Sequence, residues 1–185
     1  MPNNNEMIIG NGDLGGKASW FFRVKKLLAE MATEPEHQLF GEALAFPDTR
    51  CITTSIFKDF IQSNHLEELI KRIEAGQEND LEGLNKAFLE GQFSKASQGI
   101  LFEILDTMNG PLAIRSSSLL EDQKGASFAG KYESVFIANY GSNENRQEQF
   151  LKAIKTVFAS TYNPNSLAYR RKHGFIEERE EMALL

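Results

Sequence analysis

The sequence predicts an α/β (α+β) fold, a small mixed sheet wrapped by helices, on three observations. β-rich runs of three to six residues recur from end to end: Met7–Ile9, Cys51–Thr54, Leu112–Arg115, Tyr132–Ile137 and Met182–Leu185. Between them lie longer stretches whose apolar residues return every third or fourth position, the period of a helix. The composition, 41% hydrophobic and 25% charged over 185 residues, is that of an ordinary globular chain and not of a collagenous, disordered or disulfide-built one. A domain near this length hides roughly 70% of the surface of its unfolded chain, so one domain is expected.

In order along the chain, Met7-Ile8-Ile9 leads into Gly10-Asn11-Gly12-Asp13-Leu14-Gly15-Gly16-Lys17, where four glycines in seven residues permit positive φ and close backbone approach. A helix follows from Ala18 to Met31, with Phe21, Val24, Leu28 and Met31 on one face. Cys51–Thr54 is a short strand, and Thr54 or Ser55 can cap a helix carrying Phe57, Phe60 and Ile61. From Asn64 to Met108 the pattern is helical: Asn64 and Glu67 form an approximate capping box, Gly76 stops the first helix, and Asn109-Gly110-Pro111 stops the last. Leu112–Arg115 is a strand, Ser116–Gly130 a polar loop rich in small residues, and Tyr132–Ile137 a further strand. Arg146–Tyr162 and Ser166–His173 are helices, with Phe150 and Phe158, like Phe21 and Phe60, at core spacing. Glu177–Glu181 reads as a solvated face, Tyr169–Lys172 as a basic surface helix, and Met182–Leu185 as the opening of a buried strand at which the chain looks cut.

Charge and cysteine usage narrow the function classes. A net charge of −6 excludes a broad basic footprint, so nucleic acid and membrane surfaces are not expected partners, although a local basic pocket is compatible with it. Cys51 is the single cysteine, which excludes an intrachain disulfide and a cysteine-rich zinc site and points to a reducing, cytoplasmic location. Residues 1–6 carry neither the basic nor the apolar part of a signal peptide, and no apolar run approaches the ~18 residues of a membrane helix.

Two segments carry chemistry. Gly10, Gly12 and Gly15 match G-x-G-x-x-G, but the preceding strand is short and no second strand ending in an acid follows the helix, so a dinucleotide fold is discounted. A phosphate-binding P-loop fails as well, because Asn11 and Ala18 stand where glycine and a hydroxyl are needed. Backbone N–H groups at a helix start beside Lys17 still suit an anion; the alternative is a glycine turn that merely starts a helix. In the second segment Arg115 ends a buried strand, where a guanidinium needs an anion, and Ser116, Ser117 and the small residues of the loop to Gly130 add donors that could fold over a triphosphate. Here too an alternative stays open, in which Arg115 pairs with Glu121 or Asp122 and the loop is only solvated.

These residues carry a resemblance. Gly15-Gly16-Lys17-Ala18, Ile52-Thr53-Thr54, Ala113-Ile114-Arg115-Ser116-Ser117 through Glu121-Asp122 to Ala126-Ser127-Phe128-Ala129-Gly130-Lys131-Tyr132, and Ala168-Tyr169-Arg170-Arg171 with Gly174-Phe175 resemble, in order and spacing, the amino-terminal nucleotide-binding domain of the phosphoenolpyruvate synthase and pyruvate phosphate dikinase family. The resemblance implies the first lobe of an ATP-grasp-like domain that binds ATP with magnesium and passes a phosphoryl group to a histidine on a swivelling domain, from which pyruvate or another acceptor receives it. By position, Lys17 and Arg115 resemble the family's phosphate-contacting cations, and Gly130 and Ser134 resemble positions lining the nucleotide.

The sequence also departs from the family. Pro47-Asp48-Thr49-Arg50 replaces the usual Pro-x-Gly-Phe, and His37, His65 and His173 match no phosphocarrier motif and read as surface or cap residues. The family's acidic magnesium ligands and adenine-contacting strands lie beyond Leu185, so residues 1–185 are expected to be an amino-terminal lobe that grips ATP from one side and is inactive alone. Two other readings stay open: a nucleotide-sensing module without chemistry, and a phosphotransferase of the antibiotic-modifying kind with a different acceptor.

Overall fold

The computed structural model describes residues 7–31, 46–121, 130–178 and 180–185. Five strands among them form one mixed sheet in the order β1-β2-β5-β3-β4. β1 (Ile8–Ile9) runs parallel to β2 (Cys51–Ile52), while β5 (Met182–Leu184) lies antiparallel to both β2 and β3 (Leu112–Ser118). β4 (Ser134–Ile137) pairs antiparallel with β3 at the edge. The last apolar run is therefore the middle strand, and Met182, Ala183 and Leu184 are all buried. β3 continues past Arg115 through Ser118, so Ser116, Ser117 and Ser118 belong to the strand and not to the loop that follows.

The helices are α1 (Gly15–Met31), α2 (Thr54–Ser63), α3 (Glu67–Glu74), α4 (Leu81–Glu90), α5 (Lys95–Thr107), α6 (Asn143–Ser160) and α7 (Pro164–Lys172). Their starts follow local chemistry: Asp80, Ser94, Ser142 and Asn163 each accept a backbone N–H of the first turn, and Pro164 opens α7 where a missing N–H is tolerated. Asn64 does not cap α3. It closes α2, donating to the Phe60 carbonyl at 2.7 Å and pairing with the Gln92 backbone, while Leu66 holds the cap position of α3.

The core lies between α2, α4 and α6, where the rings of Phe57 and Phe158 (5.0 Å) and of Phe60 and Phe93 (4.7 Å) meet in a buried aromatic cluster with Phe88. Phe21 stays outside it, half-buried beside Phe46. Along the same α1 stripe Leu28 is half-buried, while Val24 and Met31 are about two-fifths exposed, at 41% and 40%. α1 buries only Gly15, Gly16 and Ala18, at the end that abuts β3. No described helix is long and apolar enough to cross a membrane.

Two polar segments, exposed at Glu177, Glu178, Arg171 and Lys172 as expected, depart from their sequence reading at three residues. Arg170 is fully buried, paired with Glu74 (2.8 Å) and donating to the Glu178 carbonyl (2.8 Å), so it does not belong to the basic surface that the exposed Arg171 and Lys172 keep. Glu180 and Glu181 are buried as well: Tyr132 donates to Glu180 at 2.6 Å, and Lys58 pairs with Glu181 at 2.8 Å. Leading into a central strand carries both carboxyls inward, and each keeps a partner because a lone buried charge would be prohibitive. Burial pushes the Glu180 carboxyl up, with the Tyr132 hydrogen bond opposing, and pushes the Cys51 thiol up to about 12.

Candidate functional site

Two backbone donors of the glycine loop are already committed within the protein. Gly12 N–H donates to the Thr53 hydroxyl and Asp13 N–H to the Thr54 hydroxyl, both at 3.1 Å, while Thr54 N–H returns a bond to the Asp13 carbonyl. Those two loop donors hold β1 and α1 to the start of α2 and are not offered to an anion. Thr53 and Thr54 are thus staples for the loop, a role their β-rich neighbourhood did not reveal.

From this anchored loop α1 starts against β3. Gly15 has φ of +68°, and a side chain there would collide with the Ser117 carbonyl, so only glycine permits the approach. The Ser117 hydroxyl then accepts Ala18 N–H at 2.9 Å and donates to the Leu14 carbonyl at 2.8 Å, which commits it to joining helix and strand. The same approach brings Lys17 across to the Ser116 hydroxyl (3.1 Å) and into an ion pair with Glu121. The acid weighed as a partner for Arg115 serves Lys17 instead.

Arg115 lies within β3, not at its end. Its backbone exchanges both hydrogen bonds with Leu185 at 2.9 Å and is in register with Ser134 on the other side. Ile114 and Ser116 are buried while Arg115 is exposed, as strand alternation requires. Among the described residues the Arg115 guanidinium has no hydrogen-bond or ion-pair partner. Ser134, also exposed, shares its face as the directly opposite residue. Gly130, with φ of +70°, stands ahead of β4.

Lys17 and Arg115 line one open pocket of about 400 Å³, with Trp20, Phe21, Phe46 and Leu185 as its apolar wall. Arg115 also borders a neighbouring cavity of about 460 Å³ with Arg50, Leu112 and Leu185. Two cations from separate elements beside aromatic and aliphatic surface suit a ligand with an anionic end and a flat apolar end. His65, at a turn with φ of +54°, and His173, stacked on Tyr169 at 4.2 Å, line neither cavity; His37, Asp122 and the Ala126–Ala129 part of the motif lie outside the described residues. No group of three or more His, Cys, Asp or Glu that could hold a metal ion occurs among the described residues.

A mixed sheet with flanking helices, a glycine-started helix and a two-cation pocket is the make-up of an α+β nucleotide-binding domain. The family model described as "Pyruvate phosphate dikinase, AMP/ATP-binding domain" matches residues 12–185, and the chain belongs to that family. It is 32% identical over 142 residues to the phosphoenolpyruvate synthase of Deinococcus radiodurans, covering 71% of this chain and 17% of the relative. An uncharacterized phosphotransferase of Bacillus subtilis is 30% identical over 138 residues (73% of this chain, 15% of the relative). The phosphoenolpyruvate synthase of Escherichia coli is 27% identical over 161 residues (80% and 19%). The chain thus spans less than a fifth of the length of these curated relatives.

Proposed function

We propose that this chain is the amino-terminal lobe of an ATP-dependent phosphotransferase, and that it grips the triphosphate of ATP through Lys17 and Arg115, with Ser116, Ser117, Gly130 and Ser134 around them. The observation that carries the reading is the meeting of the two cations on one pocket although 97 residues separate them in sequence, Lys17 to Arg115. Ser117 contributes by holding α1 to β3, and so fixes the spacing of the cations.

A transferring phosphoryl group gathers charge on its outer oxygens, and fixed cations at those positions lower the barrier without moving during the reaction. Arg115 offers a planar fork matched to phosphate oxygens, and Lys17 a compact charge. A ligand seated against Trp20 and Phe21 would lose water from that side, which would strengthen both interactions. Magnesium would travel with the triphosphate, its protein ligands lying outside the described residues. The acceptor is a histidine on a separate domain and pyruvate after it, in the cytoplasm; the lobe holds and polarises the donor.

The test is a titration of the isotope-labelled chain with ATP followed by NMR. Shifts are expected at Gly15–Ala18 and Arg115–Ser118, with affinity weaker than micromolar because only one side of the ligand is held. Arg115→Ala and Lys17→Ala should each weaken binding about 10- to 100-fold, the worth of a hydrogen bond to a charged group. Unchanged affinity in both variants would remove the assigned roles, and micromolar binding by the unsubstituted chain would overturn the one-sided grip.

A further inference from the structure

We propose that Glu121 is a positioning residue for this site: with Ser116 it holds the Lys17 ammonium in place and thereby sets the grip on the terminal phosphates. The inference rests on the phosphate role proposed for Lys17.

A lysine on four rotatable bonds is a poor fixed charge unless its head group is tied down. Two acceptors tie this one, the Ser116 hydroxyl at 3.1 Å and the Glu121 carboxylate. The Glu121 side chain is only 6% exposed against 31% for Lys17, so the acid forms the buried wall and the lysine the open one. Glu121 is itself pinned: its chain turns back after β3, and its second carboxylate oxygen accepts the Ser118 backbone N–H at 3.3 Å. Strand, turn and carboxylate thus form one bracket around Lys17. An ammonium has three donors, and two are committed here, which leaves one for a phosphate oxygen.

Among the described residues, the Glu121 oxygens face two donors, an ammonium and a backbone N–H. A carboxylate satisfies the two together. A glutamine cannot, because its amide nitrogen would have to face one of them. A bracket needs this charge and shape, whereas a carboxylate that merely occupied the phosphate seat would compete with ligand, and its removal would tighten binding.

The two roles separate in an NMR experiment on the whole chain labelled with ¹⁵N-lysine. In the unsubstituted chain the Lys17 ammonium should give a discrete signal protected from solvent exchange. In Glu121→Gln that signal should broaden or vanish while the backbone spectrum away from β3 and α1 is unchanged; persistence of the signal would overturn the bracket before any ligand is added. Titration with inorganic tripolyphosphate should then show about tenfold or greater weakening in Glu121→Gln and a smaller loss in Ser116→Ala, which keeps the carboxylate. Glu121→Asp, with both acceptor oxygens retained, should recover part of the affinity. Should Glu121→Gln not fold, Ser116→Ala and Glu121→Asp carry the test, and wild-type affinity together with an unaltered Lys17 signal in both overturns the proposal. Equal or tighter binding by Glu121→Gln would sink the positioning role alone. No response of the unsubstituted chain to tripolyphosphate would sink the phosphate role of Lys17 and this inference with it.

Discussion

Replacing Gly15 by alanine should damage both stability and the site, by an amount the geometry sets. At φ of +68° an L-residue carries a left-handed strain of roughly 1–2 kcal/mol. The new Cβ would also stand 1.7 Å from the Ser117 carbonyl oxygen, which belongs to a strand and cannot swing aside. α1 must retreat, and the Ala18–Ser117 and Ser117–Leu14 hydrogen bonds, at 2.9 and 2.8 Å, are lost with it. At about 1 kcal/mol each, these bring the total to roughly 3–4 kcal/mol. Gly76→Ala is the control: its φ of +71° is nearly the same, yet nothing lies within 4 Å of the added Cβ, so only the strain of roughly 1–2 kcal/mol should appear. Urea unfolding of the two variants reads the difference, and loss of phosphate-induced shifts at Lys17 should accompany Gly15→Ala alone. If the two alanines destabilise equally, close approach of α1 to β3 is not what Gly15 provides.

Other residues give independent checks. Arg170→Ala removes a fully buried guanidinium from Glu74 and the Glu178 carbonyl and should lower unfolding free energy by about 3–5 kcal/mol in urea titrations; a loss under about 1 kcal/mol would place the residue at the surface after all. Burial holds the Glu180 carboxyl above its ordinary 4.5, so above that pH the folded chain retains a proton that the unfolded chain releases. Stability should therefore fall as pH rises from about 4.5 to the raised value, and Glu180→Gln should flatten the fall. Parallel urea midpoint curves for the two proteins between pH 4 and pH 8 would contradict this.

Much of the fold, and the segments that build the candidate site, were readable because their signals are local. Glycines before a helix, an arginine followed by serines after a β-rich pair, and apolar residues at three- and four-residue spacing in α2 and α6 each report on a few neighbouring positions. What could not be read was which charge meets which. Glu121 was weighed against Arg115, its neighbour in sequence, yet its partner is Lys17, 104 positions away. That pairing exists because α1 packs on β3, a contact between elements rather than within one. A usable hint was present in the three-residue return from Ser118 to Glu121, which lets a carboxylate reach back to its own strand end.

By itself the sequence determined the class of fold, the helical and extended stretches and the family to which the chain belongs, since those depend on period, turn chemistry and motif order. Only the tertiary structure decided that Glu180 and Glu181 lie in the interior and that Arg170 is buried. It alone decided that the loop donors of Gly12 and Asp13 are committed to Thr53 and Thr54. A run of charged letters says nothing of its depth. Depth came from placing β5 between β2 and β3, which drew Glu180 and Glu181 inward behind it and required Tyr132 and Lys58 to meet them.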